Sequence, residues 1–236
     1  MTLSIIIPVY NEVHYISNLI NRVIKYTPKT KTKIIIVDDC SNDGTKEWLI
    51  NNKNIKTKKH IKTKLILKQK NEGKGSAIIE GLKYTNINDI ILIQDADLEY
   101  DPKDISKLWK KIKEGNDVVF GNRFHTIRHY HYKTFAIANY FISKVISLLF
   151  FYKISDAAVC YKMFKRRKID KRITLKEKDF MFDFEFVSKI LKKKQNLKIS
   201  EVDISYKGRT FEEGKKISWI DGFRALLIIL KVKLFY

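Results

Sequence analysis

Asp95 and Asp97 stand one residue apart, just after the apolar run Ile90-Ile91-Leu92-Ile93. A run of this length without glycine or proline reads as a strand buried on both faces. The two carboxylates then fall at or just past its carboxyl end, the edge of a parallel sheet where ligands bind. Two acids so close repel one another unless a cation lies between them. Mg²⁺ or Mn²⁺ suits the place, because such an ion takes one or two protein carboxylates and fills its other positions with water and phosphate oxygens. By itself the triplet also fits a capping segment, since Asp101-Pro102 places proline at the first position of a following helix. A second acidic pair, Asp38-Asp39, closes the apolar run over residues 33–37 in the same manner.

The surrounding chain must bring these groups to one place. Residues 3–9 read as a first strand, and Ile16, Leu19, Ile20, Val23 and Ile24 recur at helical spacing in residues 13–26. After the second strand, residues 41–45 supply cap residues for another helix. Residues 51–64 form a polar, lysine-rich connector, residues 65–67 a short third strand, and Gly73-Lys74-Gly75-Ser76 a lead-in to a helix reaching about residue 84. A helix over residues 102–114 and a strand over 117–120 follow. This alternation predicts an α/β fold with a parallel sheet covered on both faces and its polar strand ends on one edge. The second half differs. Residues 134–152 are aromatic and apolar, 156–162 a turn, 165–178 basic, 180–191 helical, 197–204 strand-like and 208–217 a charged loop. Residues 218–232 carry Trp219, Phe223, Leu226, Leu227 and Leu230 at helical spacing, an amphipathic pattern. No repeat or linker divides the chain, so residues 1–236 are expected to form one domain.

Composition narrows the functions. Of 236 residues, 47 are basic and 26 acidic, and the resulting net charge of +21 attracts polyanions: nucleic acid, anionic lipid or phosphorylated substrates. Cys40 and Cys160 are too few for a disulfide framework or a zinc site, and no signal peptide is expected before the first strand. The longest apolar segment is interrupted by Asn139 and Lys144, so no membrane span is expected. Neither a G-x-G-x-x-G nor a Walker A spacing occurs. Residues 73–76 read mainly as a flexible loop, with Lys74 facing a phosphate as the lesser reading. His125, His129 and His131 are a weak alternative metal set. A nucleic-acid module is disfavoured because the basic groups adjoin acidic strand ends.

Residues 5–12 (IIIPVYNE), 37–45 (VDDCSNDGT), 94–99 (QDADLE) and 121–124 (GNRF) together resemble the inverting family-two glycosyltransferases of GT-A fold. The C-terminal pattern at 201–206, Gly208-Arg209-Thr210, 212–217, Trp219 and Asp221-Gly222 is similar to the branch of dolichyl-phosphate mannose synthase and other polyprenyl-phosphate glycosyltransferases. The resemblance implies a GT-A fold, mostly parallel, with residues 1–124 binding the nucleotide sugar. Residues 125–236 would then serve the acceptor and the membrane interface through C-terminal amphipathic helices. It also implies roles. Pro8, Tyr10, Glu12, Val37, Asp38 and Asp39 line the donor pocket with Asp95, Ala96 and Asp97. Asp95, Asp97 and Glu99 hold Mg²⁺ or Mn²⁺. Arg123, Arg209 and Lys215 face donor phosphates, and Arg123, Lys133 and Arg209 face an acceptor phosphate. Asp97, Arg123 and Arg209 are thereby the expected catalytic set. Cys40, Asn122 and Phe184 depart from the residues common at their positions.

The expected reaction moves mannose from GDP-mannose to a polyprenyl phosphate, with UDP-glucose or UDP-GlcNAc as other donors and a glycan hydroxyl as another acceptor. A lipid phosphate, with a second pKa of about 6, is already nucleophilic at pH 7. An alcohol instead needs a general base, for which Glu185 or Asp183 is the place. The expected partners are an anionic membrane surface and a small membrane protein that strengthens attachment, with the enzyme peripheral on the cytosolic face.

Overall fold

The computed structural model describes residues 1–53, 57–124, 133–169, 173–209 and 219–236, the side chains of 133–135 and 219 excepted. Strands β1 (Leu3–Val9), β2 (Thr32–Asp38), β3 (Ile61–Leu67), β4 (Ile90–Ile93), β5 (Val118–Asn122), β6 (Lys162–Lys165) and β7 (Ile199–Asp203) make one sheet ordered β3-β2-β1-β4-β6-β5-β7. The pairings β1–β2, β1–β4, β2–β3 and β5–β7 are parallel, whereas β6 runs antiparallel between β4 and β5. The sheet is therefore mostly parallel, as expected, with one strand reversed. Helices α1 (Ile16–Tyr26), α2 (Thr45–Asn51), α3 (Lys74–Leu82) and α4 (Ile105–Lys113) follow β1 to β4, and α5 (Lys133–Phe150), α6 (Arg166–Ile169), α7 (Met181–Lys192) and α8 (Trp219–Phe235) belong to the second half.

Apolar pattern explains most of this. All seven residues of β1 are buried, and α1 buries the five apolar positions that its spacing marked. Asp101 accepts the Lys103 amide at 3.0 Å beside Pro102, so the cap before α4 forms as its sequence suggests.

Two of the strand expectations change. Strand β3 begins at Ile61 rather than at residue 65, inside the supposed connector; it lies at the end of the strand order, and exposed Lys62 and Lys64 alternate with buried Ile61 and partly buried Thr63. Charges of this kind keep a sheet edge from pairing with other chains. The other change is β6, which occupies the end of the supposed turn and the start of the basic stretch; four residues beginning and ending in lysine carry no strand periodicity.

The loop before α3 is also packed rather than flexible. Gly73 has φ +97°, and a Cβ on Gly75 would lie 2.3 Å from the Glu177 carbonyl oxygen and 2.8 Å from the Phe182 Cβ. The Ser76 amide donates to the Lys178 carbonyl at 2.8 Å, fixing this turn to the segment before α7.

Helices α5 and α8 lie together, and both bury one apolar stripe: Ile142, Ile146 and Phe150 in α5, Ala225, Ile229 and Val232 in α8. The stripe read from the sequence of α8 is a different one. Phe223, Leu227 and Leu230 face outward, more than two-fifths exposed, so the outer face is apolar as well. On α5, Ile137, Tyr140, Phe141 and Leu148 are likewise exposed. Lysines satisfy the C-terminal carbonyls of this pair. Lys233 donates to Leu149 O, Lys194 to Phe150 O and Phe151 O, and Lys192 to Val232 O and Lys233 O. Cations there also suit the negative end of each helix dipole. Among the described residues no helix is long and apolar enough to cross a membrane.

Replacing Gly75 by alanine should lower stability by about 1–3 kcal/mol, because backbone atoms block the added methyl. Gly222→Ala, with nothing within 4 Å in α8, should instead be neutral or stabilising by up to ~1 kcal/mol. Urea unfolding of the two variants checks the contrast.

Candidate functional site

Because β1, β2, β4, β5 and β7 run in one direction, their C-terminal ends share one edge. The loops leaving β1, β2 and β4 each contain one non-glycine residue with left-handed backbone: Asn11 at φ 55°, Cys40 at φ 66° and Leu98 at φ 59°. Glycine and asparagine tolerate that region best, which explains why cysteine at position 40 is a departure. The first two loops are stitched together. The Asn11 amide donates to Ser41 Oγ at 3.0 Å, Asn11 Nδ2 to Asn42 Oδ1 at 2.9 Å, and the Glu12 amide to Thr45 Oγ1 at 2.9 Å.

Within this frame Pro8 and Val37 are register partners, both buried. Tyr10 is half-buried, while Ala96 is buried. Asp39 is saturated: it takes Lys68 Nζ at 2.5 Å, the Gly73 amide at 2.6 Å and the Glu72 amide at 3.2 Å. Asp38 is fully buried. Its Oδ2 accepts the Ser41 amide at 3.1 Å, and its Oδ1 has no hydrogen-bond partner among the described residues.

Arg209 reaches across the edge. Its Nη1 and Nη2 lie 3.0 and 3.1 Å from the two Glu12 oxygens, and Nη2 lies 3.3 Å from Asp97 Oδ2. Glu99 places it. One carboxylate oxygen accepts the Arg209 amide at 2.7 Å, the other accepts the Tyr206 hydroxyl at 2.7 Å, and the Glu99 carbonyl accepts the Lys207 amide at 2.9 Å. Glu99 therefore anchors the loop after β7, a role that its spacing from Asp95 and Asp97 did not suggest.

Asp95 has Lys74 Nζ at 3.0 Å, and the same ammonium lies 3.2 Å from Asp183 Oδ2 on α7. Asp183 Oδ1 takes Lys162 Nζ at 2.5 Å. Burial acts to raise the Asp183 carboxyl, but Lys162 and Lys74 hold it below its ordinary range. Lys74 and Asp183 thus join the site although one was read as loop and the other only as a base.

Arg123 is clamped from behind. Its Nε and Nη2 pair with Asp156 at 2.6 and 2.7 Å, Asp156 is fully buried and also accepts Asn139 Nδ2 at 2.8 Å, and the guanidinium lies 4.9 Å from the Tyr206 ring centroid. Asp156 carried no motif in the sequence and was missed. Asn122 Nδ2 approaches Asp203 Oδ1 at 3.3 Å, and its Oδ1 accepts the Phe124 amide at 3.0 Å. Of Lys133 only the backbone is described, and Lys215, His125, His129 and His131 lie outside the described residues.

The carboxylates at this edge fit a hard divalent cation. Burial, followed by the charges of Asp95 and Glu99, pushes the Asp97 carboxyl up to about 8 despite Arg209. Burial and the neighbouring acids thus outweigh the Arg209 guanidinium at 3.3 Å. No three His, Cys, Asp or Glu among the described residues are gathered for a metal. Asp95 and Asp97 suffice for an ion that completes its shell with water and phosphate oxygens.

Residues 4–173 match the family model for glycosyl transferase family 2. The chain belongs to that family. A dolichol-phosphate mannosyltransferase of Pyrococcus furiosus is 35% identical over 124 residues, 52% of this chain and 34% of that protein. An undecaprenyl-phosphate 4-deoxy-4-formamido-L-arabinose transferase of Proteus mirabilis is 29% identical over 177 residues, 74% of this chain and 52% of that protein. The chain spans between a third and three-fifths of the length of the curated relatives it matches. Among solved structures, glucosyl-3-phosphoglycerate synthase of Mycobacterium tuberculosis, with Mn²⁺, UDP and phosphoglyceric acid, superposes with a TM-score of 0.73. The identity is 14%, over 99% of this chain and 78% of that one. Residues 1–349 of S. aureus TarS with UDP-GlcNAc give 0.64 at 19% identity, over 98% of this chain and 66% of that one. The fold of this family-two chain is accordingly GT-A.

Because burial, Asp95 and Glu99 push the Asp97 carboxyl up to about 8, a bound metal should displace a proton from it near neutral pH. Mn²⁺ affinity should fall by about tenfold per pH unit below that point. Calorimetry in buffers of different ionisation enthalpy should find about one proton released per ion at pH 7.

Proposed function

We propose that this family-two chain transfers a hexose, with inversion, from a nucleoside-diphosphate sugar to a polyprenyl phosphate, using Mg²⁺ or Mn²⁺. GDP-mannose is the first donor to test. The observation that carries the reading is the pairing of the carboxylates around Asp95 and Asp97. Glu12 lies against Arg209, Asp39 against Lys68, Asp156 against Arg123, and Asp183 against Lys74 and Lys162. Glu185, the other place for a base, accepts the Lys176 and Glu177 amides and pairs with Lys189 at 2.6 Å. Carboxylates held in this way are poor general bases. An alcohol acceptor needs such a base, whereas a phosphate monoester arrives deprotonated. The names of the two relatives, which contain dolichol phosphate and undecaprenyl phosphate, support the same acceptor class.

Each residue then has a task. Asp95 and Asp97 would hold the metal, which supplies Lewis-acid stabilisation of the departing diphosphate. Asp38 Oδ1 offers a buried acceptor for an N–H of the nucleobase. Arg209 and Arg123, with Lys133 and Lys215, provide positive charge for the donor and acceptor phosphates. Arg123, braced by Asp156 and the Tyr206 ring, is pre-oriented rather than free to swing. A UDP-sugar is the second donor reading, since the superposed structures hold UDP or UDP-GlcNAc.

The outer apolar faces of α5 and α8 suit a lipid-borne acceptor. Ile137, Phe141, Leu148, Phe223, Leu227 and Leu234 are each more than half exposed, and the net charge of +21 favours an anionic bilayer. The enzyme is then peripheral on the cytosolic face, where nucleotide sugars are made, with a small membrane protein as a further anchor.

Radiolabelled mannose should pass from GDP-mannose to a short polyprenyl phosphate in detergent with Mn²⁺, and EDTA or Asp97→Ala should abolish product. Failure with GDP-mannose, UDP-glucose and UDP-GlcNAc alike would overturn the acceptor assignment. In liposome flotation the protein should rise with vesicles containing anionic lipid. Phe223→Asp combined with Leu227→Asp should return it to the soluble fraction.

A further inference from the structure

The buried charges outside the expected catalytic set form a line. Lys162, at the start of β6, is fully buried; its ammonium donates to Val159 O and lies 2.5 Å from Asp183 Oδ1. The other oxygen of Asp183 lies 3.2 Å from Lys74 Nζ, and Lys74 Nζ lies 3.0 Å from Asp95. Four charges of alternating sign therefore run from the antiparallel strand, through α7 and the start of α3, to the edge where donor chemistry is expected. Stability alone is a poor reason to build such a line, because desolvation offsets the Coulombic gain of buried pairs and apolar replacements often serve as well.

The arrangement solves a problem of competition. Lys74 is near enough to Asp95 to neutralise it, and an Asp95 fully paired with an ammonium is a weaker metal ligand. Asp183 draws the same ammonium at nearly equal distance, while Lys162 competes for Asp183 at its second oxygen. The Lys74 backbone cannot yield, since Gly73 and Gly75 on either side of it pack against the 177–179 backbone. We propose that Asp183 is a positioning residue that shares Lys74 with Asp95 and so keeps Asp95 available to the divalent metal and the donor diphosphate. Lys162 competes for Asp183 at its other oxygen and so tempers that pull on Lys74. The inference rests on the donor-site reading above, and it adds to the site two residues that contact neither substrate.

The signs of two variants separate this role from a merely structural one. In Asp183→Asn the Lys74 ammonium has one carboxylate left, Asp95, and Mn²⁺ binding in the presence of GDP or UDP should weaken about tenfold or more, as loss of a group that orients a metal ligand commonly does. In Lys162→Met, Asp183 keeps Lys74 as its sole cation and pulls it from Asp95, so Mn²⁺ affinity should equal or exceed that of the unaltered protein even where Tm falls. Titration calorimetry with Mn²⁺ and each nucleoside diphosphate reads both, without turnover. Unchanged affinity in Asp183→Asn, or loss of affinity in Lys162→Met alongside its Tm, would overturn the role. Should Asp183→Asn not fold, the Lys162→Met result decides alone. No Mn²⁺–nucleotide binding by the unaltered protein would instead sink the donor-site reading itself.

Discussion

Like charge at close quarters is the constraint on which this structure turns. The parallel strands deliver Asp38, Asp39, Asp95, Asp97 and, through the first loop, Glu12 to a single edge, with Glu99 close behind. In a partly dry cleft these acids cannot remain ionised together without cations. The chain answers from several distances in sequence: Lys68 for Asp39, Lys74 for Asp95, and Arg209 for Glu12 and Asp97. At Asp97 burial and the charges of Asp95 and Glu99 still outweigh Arg209.

Those pairings also hold the two halves together. Arg209 comes from the loop after β7 and meets residues from the first and fourth strand ends, while Lys162 and Asp183 bring β6 and α7 to the start of α3. That edge is thus bound together by ion pairs between segments far apart in sequence. Apolar packing beneath it sets only the platform. Surface pairs elsewhere, such as Lys83 with Glu80 and Lys111 with Glu114, are solvated and contribute little.

The platform was legible because its signal is local. Ile5, Ile6 and Ile7 or Ile34, Ile35 and Ile36 can only be buried strand, and acids straight after such runs must lie at its edge. Legibility failed where the signal was tertiary. Strand β3 hid among lysines because an edge strand needs charge on its open side, and β6 is strand only because β4 and β5 flank it. Lys74 read as part of a flexible loop between two glycines, yet those glycines are there to admit the 177–179 backbone. Asp156 is an isolated acid until Arg123 closes on it. In α8 Leu226 of the periodic stripe packs inward while Phe223, Leu227 and Leu230 face outward, since helical spacing shows that a face is apolar without showing what covers it.

The reversed strand has a topological consequence. Asn122 leaves β5 and Lys162 begins β6 at the same edge of the sheet, with the Gly121 amide bonded to the Tyr161 carbonyl across the gap. Residues 123–161, α5 among them, are therefore an excursion whose two ends are already joined by the sheet. Lengthening or replacing such a segment strains no strand register, and the entropic penalty of a longer loop grows only logarithmically, about 0.6 kcal/mol for each doubling. The architecture leaves the outer part of this segment open to exchange, provided the Arg123–Asp156 pair near its ends is kept. Its outer surface can be recut while the acids on the strand ends stay where they are.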